Sequence, residues 1–446
     1  MKRRSFLKTT LATTAYGMAP FSILRAGESP NSKLNVAIVG CGRQGSSNAR
    51  SLQNAGANIV ALCDVHESWH KAAIRNQKEL HDLKLWTDYR VMYDQIGKDI
   101  DAVCIATPEH SHYAIATFFI RRGIHVYCQK PLCHTMWETR EIAKEARAHN
   151  VITQMGNQGH SSVSSSNIYE WVREGAIGKV REVNTYMTKN YWTNKPVIQG
   201  SKTPSDLDWD LYLNRTEEIP FSESYLKRNW IDYNHFSGAV GDMGAHTLDA
   251  AYYSLDLKVP LSVRAEVEVP AKPWSLPSGG LITWEFGARG DMPPVTLRYY
   301  LGTANKEGLE RPKHLEPGRK FDHGSGSYII GETGTIKSGS HSHGGRIIPE
   351  EKMQEIGKPS GSSYRNEGSG HFENFVLACQ GTGKAMSNFE YAGPLSEIIV
   401  LGDIALMHPN RTLEWDAENM QITNDEQANN SSFMRHAEPR DAMAWV

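Results

Sequence analysis

Short apolar runs punctuate the first third of the chain, and each ends in glycine or small polar residues. The first contains Val36, Ile38 and Val39 and stops at Gly40. Others are Asn58–Cys63, Ala102–Ile105, His125–Cys128 and Val151–Met155, the last closing at Gly156. Between them, about Glu67–Leu80, Arg90–Ile96, Tyr113–Arg122 and Met136–His149 read as helices, the last with apolar residues at helical spacing. Runs apolar throughout suit strands covered on both faces. Short strands alternating with helices predict a parallel, doubly wound sheet over residues 34–156. Function in such a sheet gathers at the carboxyl ends of the strands.

Beyond Asn157 the pattern changes. A helix over Ser164–Arg173 is followed by longer, partly alternating stretches: Val180–Met187, Leu261–Val269, Leu281–Phe286, Val295–Leu301 and Tyr328–Gly331. These predict an antiparallel sheet with one open face. Ser338–Gly345 and Pro359–Gly370 read as Gly/Ser-rich loops, with helices at His371–Gln380 and near Leu395–His408. The expected class is α/β, with a second α/β domain over residues 157–421 and a polar, extended or partly disordered tail over 422–446.

The first strand runs into Gly40-Cys41-Gly42-Arg43-Gln44-Gly45, a GxGxxG spacing that opens a helix. Gly40 permits the tight turn, Gly42 lets a pyrophosphate approach the backbone, and Gly45 lets helix pack on strand. The helix start at Arg43 and Gln44 offers free N–H groups and partial positive charge to phosphates. That spacing alone is weak evidence. It gains weight from Asp64, about 20 residues on at the tip of the second strand, where a carboxylate holds the adenosine ribose diol. A turn used only for packing leaves Asp64 unexplained. The same carboxylate repels a 2′-phosphate, so the expected cofactor is NAD, on a Rossmann domain.

Composition narrows the class. The 446 residues suffice for two or three domains. With 48 basic and 50 acidic residues there is no electrostatic case for nucleic acid or a membrane surface. Most of the 11 Trp and 18 Tyr serve packing, and part of that surface suits stacking on sugars. Met1-Lys2-Arg3-Arg4-Ser5-Phe6-Leu7-Lys8 is a twin-arginine start, followed by a mildly apolar region to about Leu24 and a small residue, Ala26. This predicts a Tat signal over residues 1–26, the Tat export machinery as a partner, and a periplasmic mature form with no membrane association. Residues 27–33 form a polar linker. The cysteines at 41, 63, 104, 128, 133 and 379 show no paired metal spacing, and their positions in strands and the glycine turn predict small core residues rather than disulfides.

Several motifs together resemble the Gfo/Idh/MocA oxidoreductases, named for glucose–fructose oxidoreductase and inositol dehydrogenase. They are Gly40/Gly42/Gly45 with Asp64, Thr107-Pro108-Glu109-His110-Ser111-His112, Gln129-Lys130-Pro131, and Gly241-Asp242-Met243-Gly244-Ala245-His246-Thr247-Leu248-Asp249. The resemblance covers nearly all of the chain beyond the signal. It implies a Rossmann domain followed by an α/β domain with an open antiparallel sheet, as the pattern itself predicts. Lys130 resembles the family lysine beside the nicotinamide and the substrate hydroxyl. The family usually has Glu-Lys-Pro, so Gln129 removes a negative charge near that ammonium. Thr107 and Pro108 resemble the turn against the nicotinamide ribose, and His110 either lines the cofactor or only bonds backbone.

Asp242 and His246, four apart, share one face of a helix. They resemble the family's catalytic pair, in which the carboxylate orients the imidazole and the imidazole takes a hydroxyl proton as hydride leaves. Asp249, further on, reads equally as a cap or a surface charge. Gln129 joins the cofactor-binding candidates. Gln154, Asn157, Tyr191, Trp192 and His235 are the substrate-binding candidates. His341 and His343, near His323, suggest chelation, but no carboxylate accompanies them at metal spacing, so a solvated loop is expected and no metal.

The resulting expectation is an NAD-dependent oxidoreductase acting on a secondary hydroxyl of a sugar, glycoside or polyol, with the nucleotide tightly bound. The resemblance alone supplies the carbohydrate class. A redox-neutral glycoside-cleaving enzyme using the same residues is the alternative, followed by a non-catalytic binding protein. The open sheet face suggests a homo-oligomer.

Overall fold

The computed structural model describes residues 33–75, 77–187, 195–302, 311–321, 324–359 and 370–435. The expected export signal lies outside these residues. β1 (Asn35–Val39), β2 (Asn58–Cys63), β3 (Leu85–Trp86), β4 (Ala102–Ile105), β5 (His125–Cys128) and β6 (Thr153–Met155) form a parallel sheet in the order 3-2-1-4-5-6. β1 is central, so its side chains are buried on both faces, which is why its run is apolar without alternation.

One face of this sheet packs the helix Arg43–Asn54 through Ala49 and Leu52, together with Phe375 and Val376 of the helix His371–Cys379. The second helix lies far along the chain, so a late segment completes the nucleotide domain. The other face takes the helices Tyr89–Ile96, His112–Ile120 and Met136–Ala148. The last of these starts with a reciprocal cap, in which the Thr135 hydroxyl accepts the Glu138 N–H and the Glu138 carboxylate accepts the Thr135 N–H. The helix expected over 67–80 stops at Ala73 and resumes only as a single turn at Lys78–Leu80.

The second sheet contains β7 (Val180–Met187), β8 (Ser262–Val269), β9 (Ser278–Phe286), β10 (Val295–Leu301), β11 (Ser325–Gly331), β12 (Thr335–Gly339), β13 (Arg346–Ile348), β14 (Thr412–Asp416) and β15 (Gln421–Ile422). Its order is 13-12-11-7-10-9-8-14-15, and its pairs are antiparallel except β7 with β10. The helix Phe389–Met407 lies between this sheet and the helix Met136–Ala148. Two glycines allow the contact: a Cβ at Gly402 would sit 2.7 Å from the Trp284 ring, and one at Gly393 would sit 2.7 Å from the Thr139 carbonyl oxygen. The Arg140 guanidinium bonds both carboxylate oxygens of Glu397 across the same seam, at 2.8 and 2.9 Å. The opposite face of the sheet carries polar residues such as the ion pair Glu182–Arg298.

The loop read over 338–345 spans 340–345 and joins the paired strands β12 and β13, and residues 360–369 of the loop read over 359–370 lie outside the described residues. One expectation needs correction. The tail beyond Ile422 is folded as far as Arg435. It makes the short helix Glu426–Asn429, and its Phe433 and Met434 are buried, with the Phe433 carbonyl accepting the Met136 N–H at 2.7 Å. Two apolar side chains in an otherwise polar segment are enough to dock it. All six cysteines are free, and all but the half-buried Cys379 are buried.

Candidate active site

Three strand tips build a crevice. β1 ends at Gly40, β2 at Asp64 and β4 before Thr107, and the sheet order sets β1 between the other two. Gly40 has φ +83°, and a Cβ there would lie 2.7 Å from the Ala106 carbonyl carbon. Gly45 is tighter still, since its Cβ would lie 1.9 Å from the Gly40 oxygen. Among the described residues a Cβ at Gly42 would meet nothing within 4 Å, which leaves the backbone open to a ligand there. The helix Arg43–Asn54 begins with no side-chain cap and no acidic residue in its first turn, so its leading N–H groups suit an anion. Arg43 and Gln44 are exposed on that turn, and Gln44 bonds Asn48 at 2.9 Å. The Asp64 carboxylate accepts the Cys41 N–H at 2.7 Å and the His66 N–H at 2.9 Å. Burial raises its pKa, and these backbone donors oppose the rise. An open glycine backbone, an uncapped helix start and a carboxylate at the β2 tip fit a dinucleotide.

The second cluster forms where residues 228–246 meet the tip of β5. Lys130 Nζ donates to Asp242 Oδ1 at 2.9 Å and to the Asp242 carbonyl oxygen at 2.6 Å. Arg228 Nη2 donates to Asp242 Oδ2 at 2.8 Å. Burial opposes ionisation of Asp242, but Lys130 and then Arg228 outweigh it and hold the carboxyl well below the usual carboxylate range. The expectation that Asp242 orients His246 is therefore corrected. Both residues lie on the helix Gly241–Thr247, yet both carboxylate oxygens are taken by cations. The negative charge that Gln129 lacks is supplied to Lys130 by Asp242.

His246 is buried, and among the described residues its Nδ1 has no hydrogen-bond partner. Its ring lies against His341, with centroids 4.1 Å apart and 33° between planes. Burial, Lys130 and His341 push the His246 imidazole well below its ordinary pKa, and Asp242 opposes them. The resting site thus holds a neutral imidazole near a charge-paired ammonium. His341 sits in the β12–β13 turn, pressed so close to Gly159 that a Cβ there would lie 2.2 Å from the His341 oxygen. His343 follows at 6.0 Å from the His341 ring and is exposed. The solvated loop expected here is corrected to a turn that delivers His341 to His246. Among the described residues no three His, Cys, Asp or Glu side chains gather as a metal ion requires, and His323 lies outside them.

Two buried carboxylates fix the start of the helix that carries Asp242 and His246. Asp403 accepts the Val240 N–H at 2.8 Å, and Glu109 accepts the Gly238 N–H. Burial raises Asp403 to about 7 and Glu109 well above the carboxylate range. Glu109 follows Thr107-Pro108, so it ties the nucleotide crevice to the reaction cluster. His112 also clasps both, with ring nitrogens 2.9 Å from the Pro131 and Thr107 carbonyl oxygens.

The remaining candidates separate. The Thr107 hydroxyl oxygen accepts the Ser111 hydroxyl at 2.7 Å, and Pro108 is half-buried beside it. His110 is buried, donates from Nε2 to the Tyr212 carbonyl oxygen at 2.8 Å, and packs on Phe236. Of its two expected roles, bonding backbone is the one its geometry has. Gln129 is buried, with its amide toward Asn48 and packed where a Gly156 Cβ would be. Gln154 is wholly buried and donates to the His371 carbonyl oxygen, so its placement as a substrate contact is corrected to an internal tie. Asn157 is corrected likewise: its Nδ2 donates to Asp249 at 3.0 Å. Asp249 is neither cap nor surface charge. It is a buried acceptor that also takes His160 at 2.9 Å and the Tyr391 hydroxyl at 2.6 Å. His235 is half-buried, 3.4 Å from Glu217. Tyr191 and Trp192 lie outside the described residues. Arg228, Glu109, Asp403 and His341 were not singled out as site residues by the sequence, because nothing local marks which distant backbone or charge they meet.

Fold and crevice define the class, and comparison with known proteins gives the family. Residues 34–157 match the model of the Gfo/Idh/MocA oxidoreductase family with NAD-binding Rossmann fold, and residues 162–275 match its C-terminal alpha/beta domain. The chain belongs to this family, whose Rossmann fold is NAD-binding.

Among its relatives, D-glucoside 3-dehydrogenase of Escherichia coli (strain K12) is 24% identical over 237 residues, 53% of this chain and 58% of that protein. Glycosyl hydrolase family 109 protein 1 of Akkermansia muciniphila is 27% identical over 154 residues, 33% of this chain and 31% of that protein. The matches thus span little more than half, or less, of those relatives. An inositol dehydrogenase homolog from Azotobacter vinelandii, solved with NADH and myo-inositol, superposes with TM-score 0.57 at 16% identity, covering 86% of this chain and 98% of its own.

Proposed function

We propose that this protein transfers hydride between a secondary hydroxyl carbon of a sugar, glycoside or polyol and a tightly held NAD. The observation that carries the reading is the neutral, buried His246 beside the Lys130–Asp242 pair at the carboxyl edge of the Rossmann sheet. NAD, when bound, supplies the hydride acceptor. His246 takes the hydroxyl proton on its neutral imidazole. Lys130 donates to the substrate oxygen and stabilises the negative charge that develops there. Asp242 holds Lys130 in place, and its charge favours the imidazolium once formed. Gly40, Gly42, Gly45 and Asp64 hold the nucleotide. The carbohydrate class is supported by the names of the relatives, and the homo-oligomer by the part of the sheet face that carries the half-exposed Glu182–Arg298 pair.

The twin-arginine start supports export to the periplasm. That compartment offers no free NAD pool, so the nucleotide stays bound and the hydride must return. A second substrate or an outside acceptor closes that cycle. A redox-neutral cleavage, in which oxidation beside the anomeric carbon permits elimination and is then reversed, closes it internally; the relative named as a glycosyl hydrolase favours keeping it as a second reading. Incubating the purified protein with a panel of aryl glycosides, free sugars and polyols, without added acceptor, tests both. A free keto-sugar with reduced bound nucleotide supports oxidation, and aglycone release without net reduction supports cleavage. Neither product from a nucleotide-loaded protein contradicts the proposal.

A further inference from the structure

The segment Pro204–Leu213 comes from the second half of the chain but lies on the nucleotide domain. At one end it is fastened to the loop beyond β2. The Asp206 carbonyl oxygen accepts the Glu67 N–H at 3.1 Å, and the Asp208 N–H donates to the Val65 carbonyl oxygen at 2.9 Å. The Asp206 carboxylate accepts the Ser68 N–H at 3.1 Å and the Ser68 hydroxyl, with His66 Nε2 3.6 Å away. Six residues on, the Tyr212 carbonyl oxygen accepts from His110 in the loop beyond β4. Strand order decides what this means. β2 and β4 flank β1, and β1 carries the glycine turn. A chain fastened at the β2 and β4 tips therefore bridges the two flanks of the β1 tip.

Tyr212 is half-buried and close enough to Asp64 for that carboxylate to add to the rise that desolvation causes in its pKa. Trp209 stacks on Tyr212 at 5.1 Å and edges Phe236 at 6.3 Å, so the crossing is a packed aromatic bar rather than a bare loop.

We propose that Asp206–Tyr212 is a strap closed over the nucleotide crevice, and that its bonds to Ser68 and the β2 loop set how slowly NAD leaves. The inference rests on the NAD-binding reading and assigns retention to a particular segment. A Rossmann crevice is open along the strand tips. Fastened across both sides, it releases a dinucleotide only when the strap lifts, so exit requires breaking the Asp206 contacts first.

The test needs no substrate. Full-length protein is loaded with adenine-labelled NAD, freed of excess by gel filtration and chased with unlabelled NAD, while thermal melting of each variant is recorded. The double variant Ser68→Ala/Asp206→Ala should release label about tenfold faster with the melting temperature kept, since about two modest hydrogen bonds are lost. Ser68→Ala alone, the milder change at an exposed site, should fall between the two. Asp206→Asn keeps an acceptor for Ser68 and should restore slow release. Equal release from wild type and both alanine variants would overturn the strap. A wild-type protein that retains no label would instead overturn the NAD-binding reading beneath it.

Discussion

At the nucleotide end, shape comes from backbone: Gly40 and Gly45 stand where a Cβ would lie 2.7 and 1.9 Å from main-chain atoms. At the reaction end it comes from charge, since Asp242 is gripped by Lys130 at 2.9 Å and Arg228 at 2.8 Å, and the helix start behind it is held by buried Glu109 and Asp403. A glycine cradle binds whatever carries a pyrophosphate and says little about the reaction. A network of ionisable groups in and around a buried site sets protonation states, so the chemistry is decided there. Substitutions at the two ends should therefore fail differently.

The largest effects belong to the reaction end. His246→Ala and Lys130→Ala should each lower kcat by about 100- to 10,000-fold, the usual range for a general acid–base group, while nucleotide released on denaturation stays stoichiometric. Nucleotide loss in either variant would erase the contrast. At the other end, Asp64→Ala should weaken NAD binding by about 10- to 100-fold, as for removal of a charged hydrogen-bonding group, and should narrow discrimination against NADP, with kcat at saturating NAD little changed.

Arg228→Ala leaves Lys130 on Asp242 and should cost about tenfold in kcat, with partial recovery in Arg228→Lys, because a partly exposed pair contributes modestly. The pH profile sharpens the same point. His246 accepts a proton only when neutral, so activity is lost as pH falls through its pKa in the folded site. That pKa lies well below 6.5, and the acid limb of kcat/KM should lie there too. His341→Ala removes a neighbour that helps depress it and opens the site to water, so the limb should move upward. A limb that stays fixed would show that His341 does not act on His246. The smallest effect belongs to neither end: Thr135→Ala removes a helix cap and should cost about 1 kcal/mol of stability, with kcat and NAD release unchanged.

This contrast also explains what the sequence disclosed. The crevice was legible because its determinants are local: a glycine spacing, an acid at a strand tip, apolar runs of strand length. Lys130, Asp242 and His246 were found through motifs, but their pairing was not, since a four-residue spacing places two side chains on one face without saying which distant charge each meets. Gln154 and Asn157 read as substrate contacts because strand ends face ligands in such sheets, and burial against His371 and Asp249 turned them inward. His341 depends on a turn nearly a hundred residues away in sequence, and the docked tail depends on Phe433 finding Met136. Contacts of that range leave no local mark.

The most direct test of the account is an anaerobic single turnover. Wild-type protein carrying its own NAD is mixed with a panel of glycosides, sugars and polyols, and reduced-nicotinamide absorbance is followed beside the His246→Ala variant with equal nucleotide content. The account predicts a rise matching the bound nucleotide with at least one compound in the wild type, and a rise slower by orders of magnitude in the variant. Equal rates in the two proteins would contradict it.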